Sequence, residues 1–168
     1  MEWTGARYAD TPTVEVRTWI GASPARVWEF VSDIGLMPAL SPELQSAHWL
    51  DGATEPALGA RFIGRSKHEA LGEWETTSHM VEFEPERLFG WAVEDPANPS
   101  ALWRFRLEPK DGGTELSESA QIGPGRSGLS LAIDQMPDKE QKIVFVRMRE
   151  FERNMTAVLE QIKKLAES

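Results

Sequence analysis

The segment from Asp138 to Ala166 constrains the fold more than any other part of this chain. Val144, Met148, Phe151, Met155, Val158, Leu159 and Ile162 recur there at helical spacing and form one unbroken apolar stripe. At 1.5 Å per residue such a helix spans about 43 Å. A stripe that long must be laid on an extended apolar surface, so the preceding residues are expected to supply one.

They read as a sheet. Thr13 to Ile20 alternates, with Val14, Val16, Thr18 and Ile20 on one face and Glu15, Arg17 and Trp19 on the other. Ser23-Pro24 follows as a helix N-cap and first helical residue, with Val27, Trp28, Val31 and Ile34 at helical spacing. Gly35 suits a left-handed C-terminal cap, and Leu36 to Pro42 allows one further short helical turn, a hinge between helix and sheet. Six more strands are expected at about 44–51, 60–68, 73–84, 87–94, 101–109 and 114–122, with turn residues at each break. The last break, Asp111-Gly112-Gly113, is a hairpin signal because these residues tolerate positive φ. Residues 125–137 form another helical piece that Pro137 separates from the long helix. The fold class is therefore α+β: a seven-stranded curved antiparallel sheet around a long C-terminal helix, with two short helices between strands 1 and 2.

At 168 residues the chain fits one domain, 12–168, preceded by a loose arm at 1–11 with little periodicity. The net charge of -9 repels phosphate backbones and anionic lipid, which disfavours nucleic-acid binding. With no Cys there are no disulfides, thiol nucleophiles or thiolate metal sites. The N-terminus shows no signal-peptide pattern and no run approaches the roughly 20 apolar residues of a bilayer span, so a cytoplasmic monomer or homodimer is expected. Seven Trp against one Tyr is an aromatic balance suited to enclosing something large and apolar.

The run from Ser23 to Asp33, then Ser41-Pro42-Glu43, Trp49-Leu50-Asp51-Gly52, Gly59-Ala60-Arg61-Phe62, Gly113-Thr114-Glu115-Leu116 and the final helix together resemble the polyketide cyclase/dehydrase branch of the START-like (SRPBCC) superfamily. The resemblance covers about residues 12–166 and implies the helix-grip fold also seen in the major birch-pollen allergen. It further implies a hydrophobic pocket between sheet and long helix, entered near the helix's N-terminal end. Its motifs fix the fold and not the chemistry, so no catalytic residue is carried over from them.

The residues themselves nominate a site. Alternation puts Trp74, Trp91 and Trp103 on the concave face with Phe62, Phe89 and Phe105, either as core or as the lining for a flat or acyl ligand. Ser66 and His68 share the face of Phe62, and His68 is either a proton donor and acceptor or a rim residue. Glu118 falls in register with Leu116, Ala120 and Ile122, which places a carboxylate on the apolar face unless a bulge shifts the strand. Arg147, beside Met148 and near Phe151 on the long helix, is the expected partner of Glu118. Leu129 and Met136 are expected to close the pocket mouth as part of a flexible lid after Gly123-Pro124-Gly125. No metal-ligand spacing, nucleotide loop or GxSxG motif occurs, so neither a metal nor a cofactor is expected.

Three functions follow. The first is a binder of a small hydrophobic molecule, whether lipid, acyl, isoprenoid or polyketide-like. The second is a polyketide cyclase/dehydrase using Glu118, His68 and Arg147 for aldol closure and dehydration. The third is an interaction module of the chaperone-activator type. An open apolar interior favours the first, converging polar groups the second, and a filled interior the third.

Overall fold

The computed structural model describes residues 1–168. Strands β1 (Thr13–Ile20), β2 (Leu44–Trp49), β3 (Arg61–His68), β4 (Gly72–Glu84), β5 (Leu88–Val93), β6 (Ala101–Lys110) and β7 (Gly113–Ile122) form one antiparallel sheet. Their order is β1-β7-β6-β5-β4-β3-β2, so β1 and β2 are the two edges. Between them in sequence come helices α1 (Pro24–Val31) and α2 (Met37–Leu40); α3 (Gly128–Gln135) and α4 (Glu140–Glu167) follow the sheet. This is the expected α+β helix-grip architecture, with every strand within two or three residues of its predicted bounds.

Period-two burial explains the inward set. Along β7, Thr114, Leu116, Glu118, Ala120 and Ile122 are all buried, and Trp103, Phe105 and Leu107 share the matching face of β6. On β4 the alternation breaks once. The register with β5 shifts between Met80 and Glu82, which turns Val81 outward and lets both Met80 and Phe83 face the interior.

The apolar side chains separate into two clusters along α4. One joins Leu159, Ile162 and Ala166 to Val27 and Val31 of α1 and to Phe62, Phe89 and Phe105. The other joins Val144, Met148, Phe151 and Met155 to Val14, Ala120, Ile122 and Leu129. No helix is long and apolar enough to cross a membrane.

Three expectations are corrected. Helix α1 ends at Val31 with Ser32 as its right-handed C-cap, so Gly35 is not a left-handed cap. Helix α4 begins at Glu140, after a single 3-10 turn at Pro137–Lys139 that the proline imposes. The arm is not loose. The Trp3 ring packs edge-on against Phe145 at 5.1 Å, Gln141 donates to the Gly5 carbonyl at 2.8 Å, and the Tyr8 amide donates to Glu140 at 3.0 Å. The arm's few polar and aromatic groups meet partners that lie more than a hundred residues away, beyond the reach of local periodicity.

Glycine is required at one sheet position. A Cβ on Gly113 would stand 2.3 Å from the Ile20 carbonyl and 2.8 Å from the Trp19 ring, whereas one on Gly128 would meet nothing within 4 Å. Gly113→Ala is expected to cost about 2 kcal/mol or more, because ladder backbone cannot step aside. Gly128→Ala, at the start of α3, should be neutral or stabilising by up to about 1 kcal/mol. Urea denaturation of both variants checks the pair.

Candidate functional site

Sheet curvature holds the middle strands away from α4, and a cavity of about 460 Å³ remains between the two apolar clusters. Its walls are mostly apolar. Strands β3 to β7 give Phe62, Trp74, Trp91, Trp103, Phe105 and Ile122; α4 gives Phe151, Met155, Val158 and Ile162. Helix α1 contributes Phe30 and Val31, and the segment expected to be only a hinge contributes Met37 and Leu40.

The aromatic wall is continuous. Trp91 and Trp103 stack with ring centroids 6.3 Å apart and planes 12° from parallel. Phe62 and Phe105 flank Trp91 at 5.9 and 6.1 Å, and Phe151 meets the Trp103 ring at 4.9 Å. These packed rings present flat apolar surface to whatever fills the space.

Glu118 is the exception to that wall. It is 5% exposed at the middle of β7, opposite Phe105 on β6 and Val16 on β1, and one carboxyl oxygen is buried without a hydrogen-bond partner. Burial away from water pushes its pKa up to about 8, so near neutrality it is predominantly an uncharged acid with an O–H to donate. The expected inward placement is observed, with no bulge in the β7 pairing.

Its expected partner is elsewhere. Arg147 donates from Nη1 and Nη2 to the two oxygens of Glu43, each at 2.8 Å, and Asn154 adds a bond to Glu43 Oε2 at 2.9 Å. The guanidinium also lies over the Phe151 ring at 4.5 Å. A planar fork matched to a carboxylate takes Glu43, the residue just before β2, which ties that sheet edge to α4. Glu43 and Asn154 are functional candidates that the sequence reading missed. Arg147, Glu150 and Asn154 stand at i, i+3 and i+7 on one helix face, and that spacing was the available signal.

His68 is also displaced from the cavity, into an open polar cleft with Glu43, Glu150 and Arg153. The amides of Ala70 and Leu71 donate to its Nδ1 at 3.0 and 3.2 Å, so the ring proton belongs on Nε2, which donates to Glu150 Oε2 at 2.5 Å. Ligand atoms of Glu43, His68 and Glu150 lie within 4.8 Å of one another, a spacing compatible with a metal ion. The hydrogen bonding uses them differently. Nε2 donates to Glu150, and Glu43 accepts from Arg147 and Asn154, so these bonds join the turn between β3 and β4 to α4.

Other expected positions divide. Ser66, Trp74, Trp91, Trp103, Phe62, Phe105, Glu118, Arg147, Phe151 and Leu129 are on the cavity wall. Phe89 is not: it is fully buried behind the wall against Trp28 and Trp91, because its neighbour across β4 is Phe83 and not open space. Met148 belongs to the second core cluster, one helical position round from Arg147. Met136 is 43% exposed and off the wall, since α3 ends before it. The stretch after Ile122 is anchored, with the amides of Gly123 and Gly125 donating to the carbonyls of Ser100 and Pro99 at 2.8 and 2.7 Å and the Tyr8 hydroxyl donating to the Gly125 carbonyl.

Comparison with known proteins agrees with this geometry. A family model described as "Polyketide cyclase / dehydrase and lipid transport" matches residues 11–167. A solved polyketide-cyclase-like protein of Corynebacterium glutamicum is 31% identical with a TM-score of 0.66, the match covering 91% of this chain and 90% of that one. The di-domain ARO/CYC StfQ from the steffimycin biosynthetic pathway has a TM-score of 0.70 at 13% identity, over 92% of this chain and 50% of that one. Ara h 8.0201 has a TM-score of 0.57 at 15% identity, over 90% of this chain and 97% of that one; these two likenesses concern the fold. No curated protein sequence matches the chain.

The buried ionisable groups can be tested by stability. For Glu118 the folded pKa is above the unfolded value of 4.5, so the folded state binds the proton more tightly between about pH 4.5 and 8. Stability is therefore full below that window and falls as pH rises through it, by about 1.4 kcal/mol per pH unit, and Glu118→Gln abolishes the slope. Thermal unfolding of both proteins across pH tests this. Glu43→Gln, which removes the charge facing a buried guanidinium, is expected to cost about 3–5 kcal/mol. The double variant with Arg147→Met should recover part of that loss in a denaturation cycle.

Proposed function

The chain belongs to the polyketide cyclase/dehydrase and lipid transport family, and from that membership and the shape of its interior we propose that it binds one small hydrophobic molecule in the cavity between sheet and α4. The observation that carries the reading is the open space itself, about 460 Å³ behind a stacked pair of tryptophans. A domain whose only task is a stable core would fill such a volume, because unfilled apolar space costs stability. The ligand class is lipid, acyl, isoprenoid or polyketide-like, and an open interior speaks against a purely structural interaction module.

A cyclase/dehydrase reading has one observation in its favour, the unpartnered buried acid of Glu118. Aldol closure needs a base near the substrate α-carbon and separate donors at the developing enolate oxygen. Of the residues suggested for those roles, Arg147 is held by Glu43 and His68 faces a different cleft, so binding is the function the arrangement supports best.

Native mass spectrometry of gently purified protein, followed by organic extraction, tests the proposal and reads monomer against homodimer in the same spectrum. One apolar molecule per chain is expected. Trp103→Ala and Trp91→Ala should each weaken binding of the uncharged dye Nile red by about fivefold or more, given the area each ring contributes. An empty protein that also ignores Nile red would overturn the reading.

A further inference from the structure

The charge arrangement inside the cavity narrows the ligand beyond its being apolar; the argument rests on the reading that the cavity is a binding site. The ionisable side chains lining it are Glu43, Glu75, Glu94, Glu118, Arg126 and Arg147. Neither arginine is free. Arg147 is held by both oxygens of Glu43, and Arg126 pairs with Asp134 while its side chain is 68% exposed. A fatty-acid anion drawn into this space would meet carboxyl groups in excess and no unpaired cation to offset its lost hydration.

Glu118 carries the one fully buried side-chain polar atom left without a hydrogen-bond partner. Its neighbours within the sheet are apolar: Phe105 and Val16 across the ladder, Leu116 and Ala120 two positions away on the same face of β7. From α4 the cavity receives Phe151 and Met155, and the polar residues it also receives, Arg147 and Asn154, both serve Glu43. An unpaired carboxyl group in such surroundings is costly, and an acceptor atom supplied by the ligand would remove that cost.

We propose that the ligand is an uncharged apolar molecule bearing a carbonyl oxygen, a ketone, ester or lactone, and that Glu118 holds this oxygen with its carboxyl O–H while the ring system lies along Trp91 and Trp103. No covalent step is involved. An amine would instead take the proton from Glu118 and leave two desolvated charges, and a carboxylate would find no unpaired cation on the wall.

Calorimetric titration of the wild-type protein at mildly acidic pH with four naphthalenes separates these classes. The probes are 6-propionyl-2-(dimethylamino)naphthalene, its parent 2-(dimethylamino)naphthalene without the carbonyl, 6-(dimethylamino)-2-naphthoate and naphthylmethylammonium. The ketone is expected to bind about 5- to 10-fold tighter than the parent, the size of one hydrogen bond to a buried donor. Glu118→Leu should reduce that preference to about twofold or less, and Glu118→Gln should keep it through its amide N–H. Equal affinity of ketone and parent for the wild-type protein would overturn the inference while leaving the cavity reading intact. So would tighter binding of the naphthoate or the ammonium. Failure of all four to bind would remove the cavity reading and this inference with it.

Discussion

One mismatch of widths governs this molecule. Seven strands at about 4.8 Å spacing make a surface about 29 Å across, while a helix with its side chains is about 10 Å wide. A single α4 cannot cover that surface if it is flat. The sheet therefore curls around the helix, β1 and β7 pack against it directly, and α1 with α2 covers part of the far side. The interior that no element reaches becomes the cavity, bounded by the two apolar clusters rather than cut into either of them. The cavity is thus a by-product of the same geometry that buries the helix.

The two buried ionisable groups on its walls show opposite solutions to one problem. The Arg147 guanidinium is surrounded by the two Glu43 oxygens and the Phe151 ring. Glu118 has no such company and gives up its charge instead. The first solution locks β2 to the helix and has no capacity left for a ligand. The second leaves a carboxyl group facing the cavity, which is why the proposed ligand contact falls on Glu118 and not on the guanidinium.

Much of this was legible in the sequence because period two and period 3.6 are local signals. They gave each strand, the inward row from Trp103 to Leu107, the burial of Glu118 and the length of α4. What they missed is long-range. The partner of Arg147 is 104 residues away in a proline-punctuated stretch that has no periodicity, and nothing local distinguishes it from Glu118. Phe89 has the same alternation as Trp91, yet Trp28 and Phe83 close over it. Whether the interior stays open depends on side-chain packing of that kind, and on the bulge after Met80.

The placement of β1 also bears on the order in which the chain assembles. Strands β2 to β7 are joined by short connections and pair with their sequence neighbours, whereas Val14 meets Ala120 only after a loop of about a hundred residues has closed. Contacts of such separation form late, because the entropy of closure must be met before they return any stability. The meander is then the early scaffold, and β1 arrives with α4 as the closing piece. Until it does, the side of the cavity beside Glu118 is without its outer strand, and the cavity is wider open than in the finished protein.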